Sequence, residues 1–446
     1  MSVVYEEVPV RVANPQTTLR GADHYPTAAE IVAAARTIEV PTPQQVIAAN
    51  ERRARQGDID ESMVLNMGPH HPSTHGVLRL AVELAGETVL QLAPDVGFLH
   101  TGIEKTIESK TYQKSVVLTD RTDYLNPLNN NLVYALAVEK LLDCEIPERA
   151  QVTRVLLSEL SRINSHLVWL GTHALDLAAM SVFLYAFRER ELILDIFELT
   201  SGARMMTSYI RPGGLAYDLP TEFKPTVQAF LDVMPSHIDE YEALLTENPI
   251  WKSRTVDVGA LDAPAAMALG VTGANLRATG VPYDVRKAFP YSGYEKYDFK
   301  VHTGTKGDTY DRYLVRVAEM RESLKIAQQA LDNLPDGPYA TSNRKIWPPP
   351  KEEITYSMES LIHHFKLWTD GFRPPVGDAY VAIESARGEL GCYMVSDGSN
   401  KPWRCHFRGP SFVNLQALPH MAKDNLVADL VAMVASLDPV LGEVDR

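Results

Sequence analysis

A mainly helical α+β fold is predicted by three features of this chain. Two short runs alternate with period two near residue 80, a long middle stretch carries apolar residues at three- and four-residue steps, and strand-like runs return near residue 380. With 446 residues, the chain is long enough for two or three packed regions.

Residues 1–60 contain Pro41-Thr42-Pro43 and Arg52-Arg53-Ala54-Arg55 and show weak periodicity, so an extension clamped on a surface is expected. Residues 61–98 form a small β region. There Leu78, Leu80, Val82 and Leu84 alternate with Arg79, Ala81 and Glu83, and Ala85-Gly86-Glu87 turns the chain into Thr88–Leu92. Residues 99–346 form a helical core, with helices expected at Asn131 to Leu142, Ala150 to Leu170, Ala174 to Leu199, Pro225 to Leu245 and Tyr310 to Leu331. The stripe Val152, Val155, Leu156, Leu160, Ile163, Leu167, Leu170 marks the second of these as amphipathic. Trp347-Pro348-Pro349-Pro350 ends the core. Residues 347–446 read as an α+β region, with a helix from Met358 to Trp368 and strands at Tyr380–Glu384, Gly391–Val395 and Trp403–Phe407.

Composition narrows the function. Hydrophobic residues make up 45% and charged residues 22%, values of a globular chain. A net charge of −14 with no basic stripe argues against nucleic acid as a partner. Met1–Glu7 lacks a cationic segment before an apolar core, so no secretory signal is expected and the chain is expected in the cytoplasm. The longest apolar stretch, Ala174 to Phe187, falls short of the ~20 residues of a membrane helix. Cys144, Cys392 and Cys405 lie far apart without a CxxC, so neither disulfides nor a self-ligated iron-sulfur cluster is expected. No nucleotide-binding glycine motif is present.

The candidate chemistry centres on His70-His71-Pro72-Ser73-Thr74-His75-Gly76, a loop that Pro72 keeps from being helix or strand. Three readings compete. The imidazoles hold backbone groups, or they bind a metal, or one of them donates to a bound polar ligand while a carboxylate tunes its ring. The loop has no HExxH and no nearby glutamate, which disfavours a metal. Asp176 is a candidate carboxylate. On a continuous helix it shares a face with Ala179, Met180 and Phe183, where a charge needs a partner, although His173, three residues earlier, could satisfy it locally. Tyr124 lies among charges just before a helix and is either a neutral proton donor or packing.

The stretch Asn66-Met67-Gly68-Pro69 leading into the histidine loop and on to Leu80 resembles the 49-kDa (D) subunit family of respiratory NADH:quinone oxidoreductase, complex I. The likeness continues through Leu99-His100-Thr101-Gly102-Ile103-Glu104-Lys105, Thr172-His173-Ala174-Leu175-Asp176, Ser201-Gly202-Ala203-Arg204-Met205, Tyr209-Ile210-Arg211-Pro212-Gly213-Gly214, Gly409-Pro410-Ser411-Phe412-Val413-Asn414-Leu415 and Gly442-Glu443-Val444-Asp445-Arg446. It covers residues 60 to 446 and leaves out the first 60.

The resemblance implies the fold of nickel-iron hydrogenase large subunits, a helical bundle flanked by small β regions. It also implies that the metal site was lost, because this chain lacks the paired cysteines and has Arg404-Cys405-His406-Phe407-Arg408 in their place. The implied cavity, shared with the neighbouring B subunit of the complex, is one where quinone is reduced. His75 and Tyr124 would hydrogen-bond the two quinone carbonyls, Asp176 would pair with His75, and Arg121 would lie beside a terminal 4Fe-4S cluster held by that neighbour. No NADH site is implied on this chain. The implied partners are the B, C, H, A and I subunits of a proton-pumping complex, peripheral on the cytoplasmic face of the bacterial membrane. Two positions depart from the family pattern: Met206 where a histidine is usual near the cluster, and Thr101 where arginine is frequent. Loss of a titrating cation beside the cluster predicts a low-potential acceptor, menaquinone. A ferredoxin-fed relative, a hydrogenase-type metalloenzyme and a structural scaffold are the competing readings.

Overall fold

The computed structural model describes residues 25–56 and 62–446. The expectations for residues 1–24 and 57–61 lie outside the described residues.

The first described segments, within the expected extension, are helices. Helix Ala28–Thr37 opens on a reciprocal cap: the Glu30 amide donates to Thr27 Oγ1 at 3.3 Å, and the Thr27 amide donates to Glu30 Oε2 at 2.7 Å. Helix Pro43–Gln56 repeats the device with Thr42 and Gln45 and places proline in its first turn. Its buried Val46 and Ala49 lie on the side toward an antiparallel sheet of Ser62–Met67, Arg79–Ala85 and Thr88–Asp95, in that order.

That cover changes the sheet. Ala81 and Glu83, which alternate with the apolar residues of the second strand, are fully buried alongside Leu80 and Val82. Glu83 is neutralised by Arg53 of the covering helix at 2.6 Å.

Helices Pro127–Leu142, Glu148–Asp176, Met180–Ser201, Phe223–Leu245 and Thr309–Asp332 form the core, close to the predicted spans. A second antiparallel sheet, Gly377–Glu384, Glu389–Ser396 and Arg404–Arg408, follows the expected strands. The fold is mainly helical α+β. Among the described residues, no helix is long and apolar enough to cross a membrane.

Helix Glu148–Asp176 departs from simple amphipathicity. Its apolar stripe is buried as expected, but so are Arg154, Glu159, Arg162 and His166 on its other faces. Glu159 accepts from Tyr294 Oη at 2.6 Å, Ser323 Oγ at 2.7 Å, and Arg162 and Arg286 at 3.2 Å each. Arg286 pairs with Asp284 at 2.7 Å. Arg277 bridges Glu384, at 2.8 Å, and Glu319, which also meets His166 at 3.2 Å. Burial pushes Glu159 and Asp284 toward protonation, but the facing guanidiniums outweigh it and hold both at about 2. Burial wins at Glu384 and raises it.

Two consequences are measurable. Carboxyls held below their unfolded value of ~4 contribute stability that is complete above about pH 5 and lost as pH falls through the folded value. Acid unfolding followed by circular dichroism should therefore begin below about pH 4. Glu159→Gln leaves Arg162 and Arg286 short of a counter-charge and should cost about 3–5 kcal/mol in denaturant unfolding. A loss under 1 kcal/mol would show that the lattice tolerates the missing charge.

Candidate functional site

The histidine loop is built by its proline. Pro72 starts a single 3-10 turn, Pro72–Thr74, and His71 caps it by accepting from the Ser73 amide through Nδ1 at 3.3 Å. Thr74 Oγ1 donates to the His71 carbonyl at 2.7 Å, closing the loop. His71 thus has the backbone-holding role, and His70 is exposed. His75 is different. Its left-handed backbone, φ 54°, turns the chain so that Nε2 meets Asp176 Oδ2 at 2.7 Å, with both side chains 12% exposed.

Asp176 sits where periodicity alone does not put it. The stripe from Ala174 to Leu199 is not one helix: the first ends at Asp176, Ala178 takes φ 68°, and the second starts at Met180. Asp176 therefore shares no helical face with Met180 or Phe183. Its carboxylate lies at a helix C-terminus, where the macrodipole is negative and a donor or cation is favoured beside it. The local alternative fails. His173 is fully buried between Trp169 and Trp251, neither ring nitrogen has a hydrogen-bond partner, and burial holds its pKa well below the ordinary value.

Tyr124 lies in the turn between helices Tyr112–Thr119 and Pro127–Leu142. Asp123 ties this turn, accepting from the Leu125 amide at 3.1 Å and from Arg387 Nη1 at 3.0 Å, while its carbonyl accepts from Asn130 at 3.0 Å. Burial and then the Asp123 charge raise the Tyr124 phenol, so it remains a protonated donor.

What brings the histidine loop and this turn together is the C-terminal helix Leu441–Asp445. A Cβ at Gly76 would lie 3.3 Å from Leu441 Cγ, and one at Gly442 would lie 2.7 Å from the Thr122 carbonyl and 3.2 Å from Tyr124 Cε1. Asp445 accepts from the Gly97 amide at 2.8 Å and the Leu99 amide at 2.6 Å, and its carbonyl meets His100 Nδ1 at 2.7 Å. Residue types gave this segment no role, although Gly442-Glu443-Val444-Asp445-Arg446 stands out as a motif.

The segments that carry Arg121 and Met206 meet at Asp120 and Ser208. Asp120 accepts from the Ser208 hydroxyl and amide, which draws the two segments together. Arg121 is exposed and donates to the Val117 carbonyl at 2.6 Å, while Met206 is half-buried. A groove of about 810 Å³ adjoins them, lined by Val116, Val117, Ser208 and Arg211 among others. Among the described residues, no group of three His, Cys, Asp or Glu side chains could hold a metal ion. Thr101 is exposed beside the loop that Asp445 holds.

Chemically, this arrangement suits a polar acceptor that takes hydrogen bonds from an imidazole backed by a carboxylate and from a protonated phenol nearby. The family model for the respiratory-chain NADH dehydrogenase 49-kDa subunit matches residues 176–446, and the chain belongs to this family. It is similar to the second NADH-quinone oxidoreductase D-type chain of Chloroflexus aurantiacus, 74% identical over 412 residues, covering 92% of this chain and 99% of the relative. It is similar also to the second D-type chain of a Roseiflexus species, 71% identical over 423 residues (94% and 100%), and to the D-type chain of Geotalea uraniireducens, 56% over 386 (86% and 99%).

Gly442→Ala should push the Tyr124 turn away from the C-terminal helix and cost about 1–3 kcal/mol of stability. Gly377→Ala, with nothing within 4 Å of the new methyl, is the control. Equal melting temperatures for the two variants would show that the contact is soft.

Proposed function

We propose that this chain is the quinone-site subunit of a proton-pumping NADH:quinone oxidoreductase and forms with the neighbouring B subunit the cavity in which quinone is reduced. The observation that carries the reading is the His75–Asp176 pair together with Tyr124, the loop of the first (through Gly76) and the ring of the second lying against adjacent residues, Leu441 and Gly442, of one helix. Two separated donors match the two carbonyls of a quinone. His75 donates to one, with Asp176 fixing its ring, and Tyr124 donates to the other. Donation to a carbonyl oxygen is worth most as negative charge builds there, which favours reduction.

A 4Fe-4S cluster on that neighbour would supply the electrons one at a time. The cysteines here fit that assignment: Cys392 and Cys405 are buried in the second sheet and Cys144 is remote from them in sequence. Exposed Arg121 and neighbouring Met206 would face that cluster. NADH is oxidised elsewhere in the complex, and the relatives' names favour NADH over ferredoxin as donor. The B, C, H, A and I subunits complete the surroundings, and membrane contact on the cytoplasmic face comes through them.

Tyr124→Phe removes one donor and should lower quinone reductase activity of the assembled complex roughly ten- to a hundredfold, the equivalent of ~1–3 kcal/mol, with NADH:ferricyanide activity retained. Unchanged quinone kinetics would make Tyr124 packing. His75→Ala and Asp176→Asn should be strongly non-additive in a double-mutant cycle on the same activity, because either change breaks the pair; additivity within ~0.5 kcal/mol would sink the coupling.

Met206 underlies the choice of menaquinone. A histidine there, with a reference pKa of ~6.5, would take up a proton on cluster reduction, whereas methionine cannot. One positive charge at ~6 Å and an effective dielectric of ~20 is worth ~3 kcal/mol, on the order of 100 mV. An EPR redox titration should give a nearly flat pH response in the wild type, with Met206→His shifted upward and sloping by up to roughly 60 mV per pH unit. A steep wild-type slope would remove the basis for menaquinone.

A further inference from the structure

Behind Tyr124 lies a second set of ionisable groups that the hydrogen bonds to quinone do not use. Asp123, Asp438 and Glu443 converge on Arg387, all four are nine-tenths or more buried, and a second buried guanidinium, Arg316, acts on Asp438. Arg387 donates to Asp123 Oδ2 at 3.0 Å and approaches Asp438 Oδ2 at 3.3 Å. Glu443 has one carboxyl oxygen on the Ser411 amide at 2.9 Å, while its other oxygen, Oε1, is buried without a partner.

Charge counting decides the state of this cluster. Three ionised carboxylates facing Arg387, with Arg316 acting through Asp438, would leave one negative charge uncompensated out of water, which buried sites avoid by retaining a proton. Asp123 and Asp438 are both paired with Arg387, and Asp123 also accepts from the Leu125 amide. Asp438 Oδ2 also lacks a hydrogen bond but lies in ion-pair contact with Arg387, whereas Glu443 Oε1 has neither. The groups facing it come from the Tyr124 turn (Asp123), the turn after the second sheet's first strand (Arg387) and the start of helix Pro410–Leu415 (the Ser411 amide). The neighbouring Asp445 carboxylate is turned away onto the Gly97 and Leu99 amides.

We propose that Glu443 holds a proton at neutral pH and is the internal source that restores the Tyr124 hydroxyl after the phenol has protonated quinone. The proposal rests on the reading of Tyr124 given above. The step is a proton transfer alone: the Glu443 O–H bond breaks, the Tyr124 O–H bond re-forms, and the negative charge moves from phenolate to the carboxylate near Arg387. Glu443 does not touch the quinone and is a proton-holding, positioning residue. Gly442, its chain neighbour, packs on the Tyr124 ring, and Arg387 senses both Glu443 and Tyr124. Burial, then repulsion from Asp123, lifts the Glu443 carboxyl to about 7, in the range where it exchanges its proton under working conditions.

The test uses the assembled complex. Infrared spectra across neutral pH should show a protonated-carboxyl band that titrates near pH 7, vanishes in Glu443→Gln and shifts in Glu443→Asp. Quinone reductase activity in Glu443→Gln should fall at least about tenfold and lose its pH dependence near neutrality, with NADH:ferricyanide activity retained and both properties partly rescued in Glu443→Asp. Absence of any carboxyl band sensitive to Glu443→Gln or Glu443→Asp overturns the proton-holding assignment. A sensitive band with unaltered quinone kinetics overturns the supply to Tyr124. Unaltered kinetics in Tyr124→Phe would instead defeat the quinone-site reading while leaving the band in place.

Discussion

Burying the charged faces of helix Glu148–Asp176 is the constraint on which the rest of the structure depends. A helix that takes Arg154, Glu159, Arg162 and His166 out of water must find each of them a counter-charge. The partners come from other elements: Glu139 of the preceding helix for Arg154, Arg286 for Glu159 and Glu319 for His166. Each pairing fixes the position of another element relative to the helix. The lattice therefore sets register and orientation, while the apolar stripe of the same helix supplies the transfer free energy.

The far end of that helix carries Asp176, so a carboxylate meant for His75 is held by the same lattice that organises the core. The opposing wall is the C-terminal helix, whose small residue Gly442 admits the Tyr124 turn and whose neighbour Leu441 supports Gly76. A short terminal helix is a poor anchor by itself. Here it is fully enclosed, and Asp445 and Glu443 fasten it to backbone amides at opposite sides.

The two donors of the proposed site differ in how they are supported. His75 has its carboxylate in direct contact, whereas Tyr124 is kept protonated by burial and by the acids behind it. On the proposed reading, a phenol held protonated beside an imidazole–carboxylate pair would suit a ligand that is uncharged on arrival and gains electrons and protons in place. The Arg121 and Met206 region adjoins the donors through the segment from Asp120 to Tyr124, whose Arg121 and Thr122 carbonyls lie against Gly442 of the C-terminal helix.

Local signals in the chain were enough for the kind and order of most long elements, because apolar periodicity is set by helix and strand geometry irrespective of partners. The hairpin at Arg79–Asp95, the helix Thr309–Asp332 and the strands after residue 377 were legible in this way, whereas the first two helices, whose caps are Thr27-Ala28-Ala29-Glu30 and Thr42-Pro43-Gln44-Gln45, were not expected because apolar periodicity there is weak. The histidine loop and Asp176 were visible as residue types. Only the tertiary structure decided which imidazole meets the carboxylate 101 residues away, that the helix breaks after Asp176, that Glu83 is buried beneath Arg53, and that Arg387 reaches Asp123 across 264 residues. Such pairings depend on which faces pack together, and spacing along the chain carries no record of that.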